Sequence, residues 1–400
     1  MYKVLLGFTC LMLMMASCMD DKNIAELDAQ LIESIQSSSN TGSIDYYIFP
    51  DSDDYTSLPN QDPANPATRE KAELGKFLFF ETGLAQIPEK ENCYETYSCS
   101  SCHLPSAGFL PGRIQGIADG GGGYGDNGEY RYVRIGYEEE DLDAQGTRPM
   151  NPFNSGFSTN TLWSGAFGAS HVNVGTEENW TGLAEVNHTG YMGLEAQNIE
   201  AFDLHRLDIN DHVLDDYGYR ELYDKAFPGF PEEERYSATT TSFAMGIFLR
   251  SFMANQAPFQ EWLKGDQHAM TDNQKEGALL FFGKARCTAC HSGPALSSMS
   301  FHALGTKDMY EFGGLNTGPD DERNWGRGMF TRKEEDKYKF KVPQLYNLKD
   351  YAMYFHGSSK NTLREVVEFK MKAQSENPFV TNERLSPSFK PVSLTSSEVD

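Results

Sequence analysis

Cys99-Ser100-Ser101-Cys102-His103 and Cys287-Thr288-Ala289-Cys290-His291 are the two stretches on which the reading of this chain turns. Both spell C-x-x-C-H. Two thiols three residues apart on one helical turn can bond the two vinyl groups of a single porphyrin, while the adjacent histidine turns its imidazole onto the iron. A redox dithiol of this spacing would follow a strand in a βαβ unit, and a zinc knuckle would have a second ligand pair close by. Neither context surrounds these pairs. They predict two covalently attached c-type haems, one on Cys99, Cys102 and His103 and one on Cys287, Cys290 and His291, with the two histidines as iron ligands.

The other cysteines fit an exported chain. Cys10 and Cys18 lie in the first residues, and Cys93 is left over as a free thiol. Met1-Tyr2-Lys3 supplies a short basic start, and Val4 to Met15 is an apolar run too short for the ~20 residues that span a bilayer. It ends in Met15-Ala16-Ser17-Cys18, which resembles a bacterial lipoprotein box, an ordinary cleaved signal peptide being the alternative. Residues 1–18 are therefore read as a lipoprotein-type signal, giving a periplasmic or outer-membrane-anchored bacterial protein that meets the membrane only through a lipid. Residues 19–67, with Ser37-Ser38-Ser39-Asn40 and Pro50, Pro59, Pro63 and Pro66, read as a polar tether.

Periodicity predicts helices over Glu70 to Phe80, Asp272 to Phe282 and Leu363 to Met371, and helices broken at Pro228 and Pro231 between Asp215 and Trp262. From Gly108 to Gly146 the chain is loop-like. Gly123-x-Gly125-x-x-Gly128 matches a dinucleotide fingerprint only formally, since no apolar strand precedes it. A helix rich in Leu and Phe precedes each cysteine pair. The fold class is therefore mainly α, two cytochrome-c-like haem domains with long loops, at 68–233 and 234–400. With 34 basic against 58 acidic residues the formal charge is -24, which excludes nucleic acid and anionic lipid faces as partners and favours a basic protein.

Several motifs in order resemble the di-haem cytochrome c peroxidase family, including its methylamine-utilisation-type relatives. Leu74-Gly75-Lys76-Phe77-Leu78-Phe79-Phe80 is similar to the family's first helix, and Cys290-His291-Ser292-Gly293-Pro294 to its second haem turn. Phe340-Lys341-Val342-Pro343-Gln344-Leu345-Tyr346-Asn347, Tyr354-Phe355-His356-Gly357-Ser358 and Thr362-Leu363 are similar to its C-terminal signature. The likeness runs from about residue 68 to the end. It implies a peroxidase: the haem on His291 accepts electrons from a small donor protein, a cytochrome c or copper protein, and the haem on His103 reduces hydrogen peroxide to water. Its alternatives are a di-haem oxidase of protein side chains or small organics, and a non-catalytic electron carrier or redox sensor.

The same resemblance implies site residues. Trp163 stands where the family places a tryptophan between the haems, and is otherwise an ordinary buried aromatic. Leu194-Glu195-Ala196-Gln197 is similar to the distal-pocket segment, but the family's following glutamate is Leu207 here, leaving Glu200 and His205 as acid/base candidates beside Gln197. No histidine lies between His103 and His171, so none from that loop can block the first haem. At the second haem the family's methionine or tyrosine ligand position is Lys370; Met371 is the first choice of ligand, ahead of Lys370 and His356. An inter-haem calcium ion would use carbonyls near Tyr351 and Met353, while the family's asparagine ligand is Pro149 here, with Asn151 close by. Leu394 to Asp400 reads as the start of a capped helix that the family continues, so the chain is expected to be truncated or to close differently.

Overall fold

The computed structural model describes residues 26–400, so the signal segment 1–18 lies outside the described residues. The chain is mainly α. Its helices are α1 (26–38), α2 (Arg69–Phe80), α3 (Gly193–Leu204), α4 (Arg220–Ala226), α5 (Glu232–Arg235), α6 (Ala238–Arg250), α7 (Pro258–Leu263), α8 (Asp272–Phe282), α9 (Arg327–Thr331), α10 (Leu363–Lys372) and α11 (Ser396–Val399). Two antiparallel two-stranded ribbons complete it, β1 (Gly121–Gly122) with β2 (Tyr132–Val133) and β3 (Phe301–His302) with β4 (Phe340–Lys341). No described helix is long and apolar enough to cross a membrane.

The helices start where their caps dictate. The Thr68 hydroxyl accepts from Lys71 N at the head of α2, and Thr271 with Gln274 and Thr362 with Glu365 form reciprocal capping boxes on α8 and α10. α2 crosses α6 at a very close approach: a Cβ at Gly75 would run into the Ala244 carbonyl. Leu74 and Leu78 of α2 meet Phe243, Ala244 and Met245 of α6 in one core, which also takes in Cys99 and Cys102. Each fully buried leucine contributes about 1.5–3 kcal/mol to that union.

Packing revises the expected boundaries. The break at Pro228 and Pro231 exists, but α6 is buried nearly all round and returns to the first core, so the division at 233 cuts through one packed unit. The expected tether is also folded from residue 26 onward. Leu31, Ile35 and Tyr47 pack with Trp262, Leu263 and Phe282 in a second core. Farther along, the Pro59 and Asn60 carbonyls accept from Arg250, and Asn65 donates to Glu195 at 3.1 Å. Polar and proline-rich composition hid these anchors because they are few and widely spaced. At the other end, Thr395 and Glu398 form the capping box of α11, and Glu398 pairs with Lys284 at 2.7 Å.

Candidate functional site

The two C-x-x-C-H stretches fold into near-identical single turns. His103 N donates to Cys99 O at 2.9 Å and His291 N to Cys287 O at 3.0 Å, which closes each motif into one turn. Each ring then points Nδ1 at a main-chain carbonyl a few residues on, Phe109 O at 2.9 Å and Leu296 O at 2.7 Å. Phe109 (φ 59°) and Leu296 (φ 50°) are both left-handed, a costly conformation for bulky side chains that recurs at the same structural place. With Nδ1–H donated to a carbonyl, Nε2 keeps its lone pair free for a metal. Phe79 of α2 and Phe281 of α8 stand 6.1 and 6.3 Å from the respective rings. A repeat legible in sequence as helix plus motif is thus a repeat in geometry.

Burial holds both histidines at about 4, neutral and ready to ligate, and pushes Cys99 and Cys102 up to about 12 and Cys287 to about 11. These are not redox thiols, which need a lowered pKa. All four are free of disulfides.

Beside the second turn lies a cavity lined by Cys290, His291 and mostly apolar side chains such as Leu304, Val342, Leu345 and Phe355. Three cations, Arg148, Lys341 and Lys370, line it as well, while no carboxylate among the described residues does. That is unusual in so acidic a chain. Arg148 is buried with its Nε lacking any partner, and Lys341, lowered to about 8 by burial alone, has only the Ser158 hydroxyl at 3.4 Å. An apolar slot with uncompensated cations suits a flat apolar ligand that carries anionic groups. A porphyrin with two propionates is such a ligand, and Cys287, Cys290 and His291 would attach and ligate it; Cys99, Cys102 and His103 would do so at the first turn.

Trp163 lines the same cavity. Its Nε1–H donates to Arg148 O at 2.7 Å, and the Arg148 guanidinium donates to Pro111 O and Arg113 O, both at 2.8 Å, on the loop that follows His103. Arg148 N donates to His356 O at 2.7 Å. The indole therefore sits on a short polar chain between the two turns. Near His103, His205 caps the end of α3 with Nδ1 2.7 Å from Asp143 Oδ2, and its charge is felt at His103. Burial works against protonation of His205, but the Asp143 charge and hydrogen bond outweigh it and raise its pKa. Gln197 and Glu200 lie on the preceding turns of α3, and burial with Asp203 and Glu185 raises Glu200. The structure thus joins His205 to Asp143 and leaves Glu200 among acids.

Of the expected ligands, Lys370 and His356 line the cavity and Met371 does not. Leu363, Val366 and Lys370 form the cavity face of α10; Met371, rotated about 100° further, is not on it. His356 is engaged on both sides, by Asp308 at 2.8 Å and Thr306 at 3.4 Å, with its ring 3.6 Å from Phe340. Asn151 is already engaged, donating to Gly108 O in the loop after His103 and accepting from Phe153 N at 2.6 Å. No group of three or more His, Cys, Asp or Glu among the described residues forms a metal cluster. Sequence reasoning missed Asp143 and Lys341, whose partners are remote in the chain.

Known proteins resemble the chain in sequence and in fold. The chain is 28% identical over 322 residues to the methylamine utilization protein MauG of Methylorubrum extorquens, covering 80% of this chain and 74% of that one. It is 27% identical to the cytochrome c peroxidase Ccp of Escherichia coli, covering 77% of this chain and 54% of that protein, and 27% identical to the cytochrome c551 peroxidase of Nitrosomonas europaea, covering 80% and 78%. In fold it is similar to a MauG-like protein associated with microbial copper homeostasis, with a TM-score of 0.57 at 23% identity over 88% of this chain and 91% of that one. The family model for di-haem cytochrome c peroxidase matches residues 69–268, and the chain belongs to that family of oxidoreductases.

Proposed function

We propose that this chain reduces hydrogen peroxide to water at a haem on His103, using two electrons that enter singly from a small basic redox protein through a haem on His291. The observation that supports the reading most is the His205–Asp143 pair beside His103, where the family supplies a glutamate and this chain has Leu207. Bound haem would supply the redox iron. The protein supplies the rest. Asp143 fixes the Nδ1 proton of His205, so Nε2 can take a proton from one peroxide oxygen and return it to the other as the O–O bond breaks. Gln197, on the same helix, is the second polar group offered to the substrate, and Glu200 is the reserve acid. The balance is one peroxide, two electrons and two protons to two waters.

Trp163 is read as the electron bridge. Trp163→Phe removes the Nε1 hydrogen bond to Arg148 and the more readily oxidised ring. It is expected to slow peroxide-driven oxidation of the His291 haem in stopped-flow absorption, with both haem spectra unchanged. The loop after His103 offers no histidine, so the first haem is expected to be high-spin without reductive activation. Calcium enters this reading only through carbonyls at Tyr351 and Met353, since Asn151 is already engaged. Export, with Cys18 lipidated, keeps both haems outside the cytoplasm. The charge of -24 favours a basic donor, and donor-dependent rate should fall steeply with added salt; a flat salt profile rejects electrostatic docking.

Oxidation of a protein side chain is the second reading, favoured by the missing family glutamate. The deciding experiment takes purified protein, oxidised and half-reduced, through absorption and electron-spin-resonance spectra. Peroxide is then added with and without a reduced small cytochrome. Two c-type haems, one high-spin, with peroxide-dependent donor oxidation support the peroxidase. Rapid bleaching without a donor favours the side-chain oxidase, and two low-spin haems indifferent to peroxide leave an electron carrier.

A further inference from the structure

The cavity cations do not all face the same end. Arg148 is tied to the loop after His103 through Pro111 and Arg113, and Lys341 leans toward Ser158. Both belong with the Trp163 side of the cavity, where Lys341 N donates to Trp163 O at 2.8 Å. Lys370 is different. Its charge reaches Cys287, His291 and His302, so it stands near the attachment turn itself. Its amine lies 5.5 Å from the centroids of both Phe355 and Phe389, and burial and the two cysteine thiols alone act on its charge, with no carboxylate beside it. A lysine amine so placed, on the cavity face of α10 and without a partner, has one unused chemical capacity, a lone pair.

We propose that the Lys370 amine is the second protein ligand to the iron of the haem held at His291. The inference rests on the reading that a haem is bound there. The ligation step is balanced without redox change: the nitrogen lone pair forms the bond to iron, and the ammonium proton leaves to solvent. The competing side chains are worse placed. Both His356 nitrogens are engaged, and His302 has the Ser300 hydroxyl at 3.0 Å from Nε2 and the Ser388 hydroxyl at 3.4 Å from Nδ1. Met371 is off the cavity face of its helix. Met353 lines the cavity, and its thioether is the alternative the test must separate.

The choice matters for electron entry. A thioether ligand raises the potential of a c-type haem, whereas an amine, a harder and stronger donor, favours the ferric state. A lysine-ligated second haem would be a low-potential relay, and would accept electrons only from donors of correspondingly low potential.

The test uses the holoprotein, with haem content checked by intact mass. In the oxidised protein the second haem should be low-spin and lack the near-infrared sulfur-to-iron band of a thioether ligand. Lys370→Ala should remove that low-spin signal. Lys370→Met, nearly isosteric, should restore it, add the sulfur band and raise the haem's midpoint potential. Met371→Ala should match the parent. A Lys370→Ala protein that carries two haems and keeps the parent's low-spin spectrum overturns the inference, and a sulfur band in the parent does the same in favour of Met353. A parent mass showing no haem on Cys287 and Cys290 would instead refute the underlying reading.

Discussion

Replacing His205 with alanine is expected to lower peroxide-dependent donor oxidation about 10²–10⁴-fold, the usual contribution of a positioned acid/base, with both haems still attached and their spectra near those of the parent. The side chain is held from outside the haem turn, by Asp143 at 2.7 Å, so its removal need not disturb His103. Gln197 has no titratable group, and Glu200, raised by burial and by Asp203 and Glu185, is the reserve that sets the residual rate. A pH profile separates catalysis from mere packing. The carboxylate of Asp143 stabilises the imidazolium, so the His205 pKa lies above its ordinary 6.5. The neutral ring is the form that can accept a proton, so activity should rise with pH along an acid limb centred above 6.5. Asp143→Asn removes the stabilising charge, leaves burial in command and should move that limb to lower pH. Equal profiles for parent and Asp143→Asn enzymes would assign the base elsewhere, Glu200 first.

Why His205 could be named as a candidate from the sequence while its partner Asp143 could not shows where linear reading ends. The C-x-x-C-H turns are local, built from one turn of chain, and so are α2, α8 and α10, whose caps and apolar spacing lie within a dozen residues. Those elements fell within a residue or two of expectation. Partners joined by folding alone left no local trace. Asp143 reaches His205 across a loop with almost no regular structure, and the left-handed Phe109 and Leu296 carry side chains that give no hint of such a backbone. The choice between Lys370 and Met371 is instructive for the opposite reason. Ligand chemistry favoured the thioether, but helix geometry decides which of two neighbouring side chains faces a cavity, and it favours the lysine.

Asp28→Ala is expected to be the most destabilising single change away from the haems, about 3–5 kcal/mol, because it strands a buried ammonium. Asp28 Oδ1 accepts from Lys275 Nζ at 2.6 Å and from Trp262 Nε1 at 2.8 Å, and the two ionic side chains are only 2% and 1% exposed. The contact fastens α1, far from the family motifs, to α8, whose end leads into the Cys287 turn. Lys275 cannot follow its charge into water when the carboxylate goes. The cost should therefore appear as a fall in the denaturant midpoint, and as earlier exposure of the second haem, followed by its own absorption band, relative to the first. A double variant, Asp28→Leu with Lys275→Met, replaces the pair with apolar groups of similar size and should recover most of the loss, since desolvation offsets much of a buried pair's attraction. Recovery would mean that α1 is held chiefly by Leu31, Ile35 and Tyr47 against Trp262 and Phe282, with the ion pair selecting where it docks. Failure to recover would make the pair itself the anchor. An unchanged midpoint in Asp28→Ala would detach the 26–49 segment from the stability of the second core altogether.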